Sequence, residues 1–118
     1  MIHLESEKDF EFLKYKDLVQ VCVGLNQVIL RFDDDIVISI ETPLTLQNEA
    51  GSKITYESNK DIGKELMSLL GERIVNVSVV RPRILRLAFN TGTVVDLIED
   101  EEPYESFHIK SKGRVIVV

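Results

Sequence analysis

The stretch from Leu18 to Glu41 reads LVQVCVGLNQVILRFDDDIVISIE, and its alternation decides the fold. Three runs rich in β-branched residues, Leu18–Gly24, Gln27–Asp33 and Asp35–Glu41, are separated by short polar breaks. Side chains that are stiff at χ1 suit a pleated surface, so each run reads as a strand. In the second run Val28, Leu30 and Phe32 point one way, and Ile29 and Arg31 the other. In the third, Ile36, Ile38 and Ile40 oppose Val37, Ser39 and Glu41. Period-two patterning of this kind predicts an antiparallel meander with one well-buried side.

The same layout returns in Arg73–Glu99, RIVNVSVVRPRILRLAFNTGTVVDLIE. Val21 and Val23 align with Val77 and Val79; after a one-residue insertion, Leu30 and Phe32 align with Leu87 and Phe89. A repeat at about half the chain length predicts two related three-stranded meanders, over 18–41 and 73–99. The alignment also reads the triple aspartate. Asp33, Asp34 and Asp35 fall opposite Asn90, Thr91 and Gly92, a hairpin signal because Asn and Gly tolerate positive φ. The triplet is therefore expected at a hairpin tip, with its mutually repelling carboxylates in water. A weak divalent-ion site is the alternative, but the glycine and distal glutamate of a calcium loop are missing.

Between the meanders, SNKDIGKELMSLLGERI carries the one good helical pattern, over about 59–71. Ser58 or Asn59 stands at the N-cap, with Asp61 as in a capping box. Ile62, Leu66, Leu69 and Leu70 form an apolar stripe expected against the buried side of the sheet, and Gly71 suits a left-handed C-cap. Gly63 inside the helix costs about 1 kcal/mol relative to alanine. Leu44–Glu57 reads as a loop with at most a short strand. Residues 104–118 read as a closing hairpin, YESFHIK and RVIVV joined at Ser111–Gly113. The amino end leaves a short helix and a strapped-down loop both open. The expected architecture is one α+β domain over 1–118: six to eight mostly antiparallel strands with one helix packed on them.

Twenty acidic against fourteen basic side chains give a formal net charge of −6. That balance disfavours a nucleic-acid surface, which must replace phosphate counterions with Lys and Arg. No apolar run approaches the roughly 20 residues of a membrane span, and the charged amino end lacks the apolar core of a secretory signal. The lone Cys22 forms no internal disulfide, which suits a reducing compartment; a cytoplasmic protein is expected. Charge is also uneven. Between Leu87 and Ile109 there is no Lys or Arg, yet Asp96, Glu99, Asp100, Glu101, Glu102 and Glu105 all fall there. Such a block is either solvated surface or a docking surface for a basic partner.

Catalytic patterns do not assemble. Cys22 sits in a strand run where a small buried hydrophobe is the ordinary occupant, and His3 and His108 have no ligand-like spacing. No glycine-rich phosphate loop and no Gly-x-Ser-x-Gly elbow is present. Arg81, Arg83 and Arg86 form a small basic cluster beside Pro82, read as a solvated strand face or an internal ion pair, with an anion site at Arg83 as the alternative. A protein without enzymatic activity, metal or cofactor is expected.

The last third, LAFNTGTVVDLIEDEEPYESFHIKSKGRVIVV, resembles a family of small uncharacterised bacterial domains. In that family a Phe-x-x-Gly hairpin leads into an acidic segment, then Tyr-Glu-Ser/Ala-Trp, a glycine turn and a final strand. Phe89 and Gly92 match the first element and Tyr104, Glu105 and Ser106 the second, while Phe107 stands where the family more often carries Trp. The family has no established activity, so the resemblance implies only a bacterial, cytoplasmic, β-rich domain. In size and acidity the chain also looks like the immunity proteins that bacteria pair with secreted toxins. On that likeness Glu99, Asp100, Glu101, Glu102 and Glu105 face a basic toxin, with Tyr104 as an aromatic anchor. Two other classes stay open: a small-molecule binder with a pocket between helix and sheet, and a homodimer joined through the RVIVV edge strand.

Overall fold

The computed structural model describes residues 7–41, 44–48, 50–51, 53–56, 59–80, 83–99 and 107–118. A 3-10 helix, Glu7–Leu13, leads into the first meander: β1 (Leu18–Val23), β2 (Val28–Phe32) and β3 (Ile36–Ile40). Then come β4 (Leu44–Gln47), β5 (Lys53–Tyr56) and α1 (Asn59–Met67). The second meander is β6 (Ile74–Val80), β7 (Ile84–Phe89) and β8 (Val94–Ile98), and β9 (Phe107–Ser111) and β10 (Arg114–Val117) close the chain. One α-helix on antiparallel strands is the class the patterning predicts.

Among the described residues there are ten strands in two five-stranded sheets, in place of one sheet of six to eight. The extra pair, β4 and β5, lies in the segment read as a loop. Its alternation lasts only four residues per strand, too few to stand out beside a polar turn. Asn48 builds that turn: its Oδ1 accepts from the Ala50 N–H at 3.0 Å and its carbonyl from the Gly51 N–H at 2.9 Å.

The repeat reaches well beyond the meanders. Sheet order is β1-β2-β3-β9-β10 in one and β6-β7-β8-β4-β5 in the other. Each meander is thus completed by the hairpin that follows the other meander, so the two halves exchange hairpins. Register is the same at each junction: Ile40 opposes Phe107 where β3 meets β9, and Leu97 opposes Leu44 where β8 meets β4. Both first strands carry a bulge at the same step, between Leu18 and Gln20 and between Ile74 and Asn76. The helices cross over as well, α1 packing on β1 and the 3-10 helix on β6.

A pseudo-twofold axis passes through the isolated antiparallel bridge between Asp17 and Arg73, which pairs a position with its own equivalent. Bonds around it come in matched pairs. The Leu18 N–H donates to the Glu72 carbonyl at 2.9 Å and the Ile74 N–H to that of Lys16 at 3.0 Å. The Gly71 N–H donates to Leu18 and the Tyr15 N–H to Ile74, both at 2.7 Å. Asp33 Oδ1 accepts from the Asp17 N–H at 3.0 Å, as Asn90 Oδ1 does from the Arg73 N–H at 3.1 Å.

Inward residues of both sheets form one buried cluster. Val28, Leu30, Phe32, Ile36, Ile38 and Ile40 come from the first meander, and Leu85, Leu87, Phe89, Val95 and Leu97 from the second. Phe107, Ile109, Ile116 and Val118 join from the closing hairpin, and Phe10, Leu13, Ile62, Leu66 and Leu69 from the helices and their flanks. At about 25 cal/mol per Å² of apolar area this burial is the main stabilising term. The helix stops at Met67, short of the expected 71, and Leu70 of the predicted stripe is 42% exposed. Chain past Met67 turns instead toward β1, where Gly71 bonds. Gly63 has its own reason: a Cβ there would lie 2.5 Å from Val23 Cγ2, so the glycine lets α1 close onto β1.

Candidate functional site

The acidic run leaves from the end of β8. Its first member is not on open surface: Glu99 is 7% exposed, and its amide N–H donates to the Arg83 carbonyl at 2.8 Å, tying the end of β8 to the start of β7. Glu99, expected to face a partner, is thus a buried group at the root of the run. Asp100, Glu101, Glu102, Tyr104 and Glu105 lie outside the described residues.

What the structure adds is the length of chain that contains them. Three residues, 41–43, carry the backbone from Ile40 to Leu44. The equivalent step, from Leu97 to Phe107, uses nine, 98–106. Matching registers at β3–β9 and β8–β4 put the same displacement between the ends of both steps. Three residues therefore suffice for it, and six are surplus, a stretch as long as DEEPYE, Asp100–Glu105. Surplus length in a connection has no topological cause, and connections are where binding residues concentrate.

Beside this exit, the outer side of the second sheet carries a polar row. Arg86 donates through Nε to Asp96 Oδ1 at 2.9 Å and through Nη2 to Oδ2 at 3.0 Å, a bidentate fork across β7 and β8. Asp96 is 3% exposed, Thr45 opposite it is buried too, and Ser78 opposes Arg86. The hydrogen bond to Asp96 raises the Arg86 pKa against the opposing effect of burial. Equivalent positions in the first sheet are Cys22, Ile29, Ser39 and His108, so the ion pair belongs to one half alone. Cys22 is half-buried on this outer row, not a core hydrophobe. Sequence reasoning put Asp96 in the acidic block and Arg86 in the basic cluster. The available signal was their facing positions across one hairpin, which also makes the internal ion pair foreseen for the cluster.

The aspartate triplet forms the expected hairpin tip, with Asp34 at φ 60° and Asp35 at φ 59°. It is less free than expected, since Asp33 caps Asp17 and Asp34 pairs with Lys16. The hydrogen bond from Lys16 holds the Asp34 carboxyl below its ordinary value, and that from Arg73 does the same for Asp17. Among the described residues no three His, Cys, Asp or Glu side chains gather to hold a metal ion. No helix among them is long and apolar enough to cross a membrane.

Comparison with known proteins gives one match. The model of a family of unknown function, DUF6188, matches residues 13–118. No curated protein and no solved structure matches the chain.

Proposed function

The chain belongs to this family of unknown function, and on that premise we propose, from its own residues, that it is a protein-binding domain without enzymatic activity. Its acidic insertion meets a basic partner, as an immunity protein meets the toxin it neutralises in a bacterial cytoplasm. The six-residue surplus in the second crossover carries this reading. Insertions accumulate without penalty in loops, but this one is acidic at four of its six positions, Asp100, Glu101, Glu102 and Glu105, with Tyr104 among them. Clustered carboxylates raise the encounter rate with a basic protein and orient it, and an aromatic ring inside a charged rim supplies the anchor.

The test is capture of a basic protein encoded beside this gene, by the wild-type chain and by a Glu101→Lys, Glu102→Lys, Glu105→Lys variant. Wild type should capture it at low salt and lose it as ionic strength rises. The variant should fail at both while unfolding like wild type. Equal capture by both would remove the insertion from the interface.

A second reading rests on β10. It is an edge strand of the first sheet, Val115 on it is 56% exposed, and Val115–Val118 has none of the lysine, proline or bulge that blunt an edge. On this reading two copies pair β10 to β10, and light scattering would show a dimer that Val115→Lys abolishes.

A further inference from the structure

Each hairpin in this fold sits on the meander that it does not directly follow. We propose that the closing hairpin, Phe107–Val118, also seats on the first meander of a second copy of the chain, giving a dimer joined by reciprocal exchange of hairpins.

The seat belongs to the first half. β9 pairs along β3, with Val37 opposite Lys110, Ser39 opposite His108 and Ile40 opposite Phe107. The Arg114 guanidinium lies 5.4 Å over the ring centre of Phe12. Phe107, Ile109, Ile116 and Val118 enter the cluster where Ile38, Ile40 and Phe32 lie. The covalent tie, by contrast, runs to the second half through the nine residues 98–106. The surface that binds the hairpin and the chain that delivers it are therefore separate parts of the molecule.

That separation is what exchange requires. An identical hairpin from another molecule finds the same register, the same buried positions and the same ring under its arginine. The first half shows that the architecture tolerates a hairpin handed across, because β4–β5 completes the second sheet in matching register. Exchange replaces every contact by its twin, so only chain connection separates the closed monomer from the dimer. The nine-residue tether gives the chain's own hairpin an effective concentration on the order of millimolar. Exchange should then rise with protein concentration, above all when chains refold together. The dimer carries two acidic insertions in one particle, whatever they bind.

The experiment uses full-length chains with Cys22→Ser, serine being the residue at the equivalent position, Ser78. One chain also carries Ser39→Cys and another His108→Cys. These positions oppose each other across β3 and β9, and directly paired strand residues lie within disulfide reach. A single chain with both substitutions is oxidised in dilute solution first; its internal disulfide establishes that the variants fold and that the pair can close. The two singly substituted chains are then unfolded together, refolded at increasing concentration and oxidised. The expected result is a covalent dimer in which bonds joining one S39C chain to one H108C chain exceed the share from random pairing, growing with concentration. Mixed bonds at no more than the random share, or monomer at every concentration, would overturn the proposal.

Discussion

Where the first half passes from meander to hairpin in three residues, the second takes nine, and where the first sheet sets Ile29 beside Ser39, the second sets Arg86 beside Asp96. Around the axis the halves match bond for bond. The backbone bonds that hold the halves together are thus repeated, while the helix type, the Lys16–Asp34 pair, the outer side of one sheet and the length of one crossover differ. Two copies of one backbone plan act as each other's control: a feature present in both serves the fold, and a feature present in one needs another reason.

The ion pair is the sharpest place to break the comparison. Arg86→Met leaves Asp96 as a buried carboxylate without its fork, and should destabilise the protein by about 3–5 kcal/mol in urea unfolding. If the two halves share a backbone plan, giving the second sheet its sister's residues should restore most of that loss. The double variant Arg86→Ile, Asp96→Ser is expected within about 1–2 kcal/mol of wild type. A double variant as weak as the single one would mean that the outer rows are not interchangeable.

Gly63 gives the next effect. Alanine in a helix interior normally gains about 1 kcal/mol over glycine. Here its Cβ would press on Val23 Cγ2, and a branched side chain at the end of β1 yields only by moving as a whole. Gly63→Ala should therefore lower stability by about 1–2 kcal/mol. Adding Val23→Ala should return the normal gain, and the coupling between the two is read from a double-mutant cycle.

These two cases also mark how far the sequence could be read. Strand runs 18–41 and 73–99 were legible because each alternates for five or more residues, and their duplication because Leu30–Phe32 and Leu87–Phe89 share spacing. β4 and β5 were not, because four residues alternate too briefly and the turn residues between them read as loop. The exchange of hairpins has no local signature at all. Period-two patterning tells a strand which side is buried, not which neighbour it joins, and Ile40 pairs with Phe107 in the same register in which Leu97 pairs with Leu44. Glu99 was legible as a charge but not as a buried one, since its burial comes with the bond that closes β8 onto Arg83.

Left-handed positions sharpen the comparison at smaller scale. Gly71 at φ 84° and Tyr15 at φ 68° are equivalents, each donating its N–H across the axis at 2.7 Å. A non-glycine residue in this region costs about 1–2 kcal/mol, and a glycine costs part of that back in the unfolded chain. Tyr15 is 63% exposed, so little packing is lost with it. Tyr15→Gly should raise stability by about 0.5–1 kcal/mol, and Gly71→Ala should lower it by about 1 kcal/mol. Equal signs for the two would mean that the axis is not a true repeat.

The smallest expected change comes from the largest edit. Deleting Asp100–Glu105 cuts the second crossover to the three residues that the first one uses. Shortening a flexible connection threefold removes about 1 kcal/mol of closure entropy from the cost of folding. Removing carboxylates from an acidic chain also relieves some self-repulsion. Neither term destabilises, and the matching registers supply ends already the right distance apart. The shortened chain should unfold within about 1 kcal/mol of wild type, while losing the capture that the Glu-to-Lys variant also loses. Loss of folding on deletion would show that the six residues serve the scaffold, and the case for an interface built on surplus length would then fall with it.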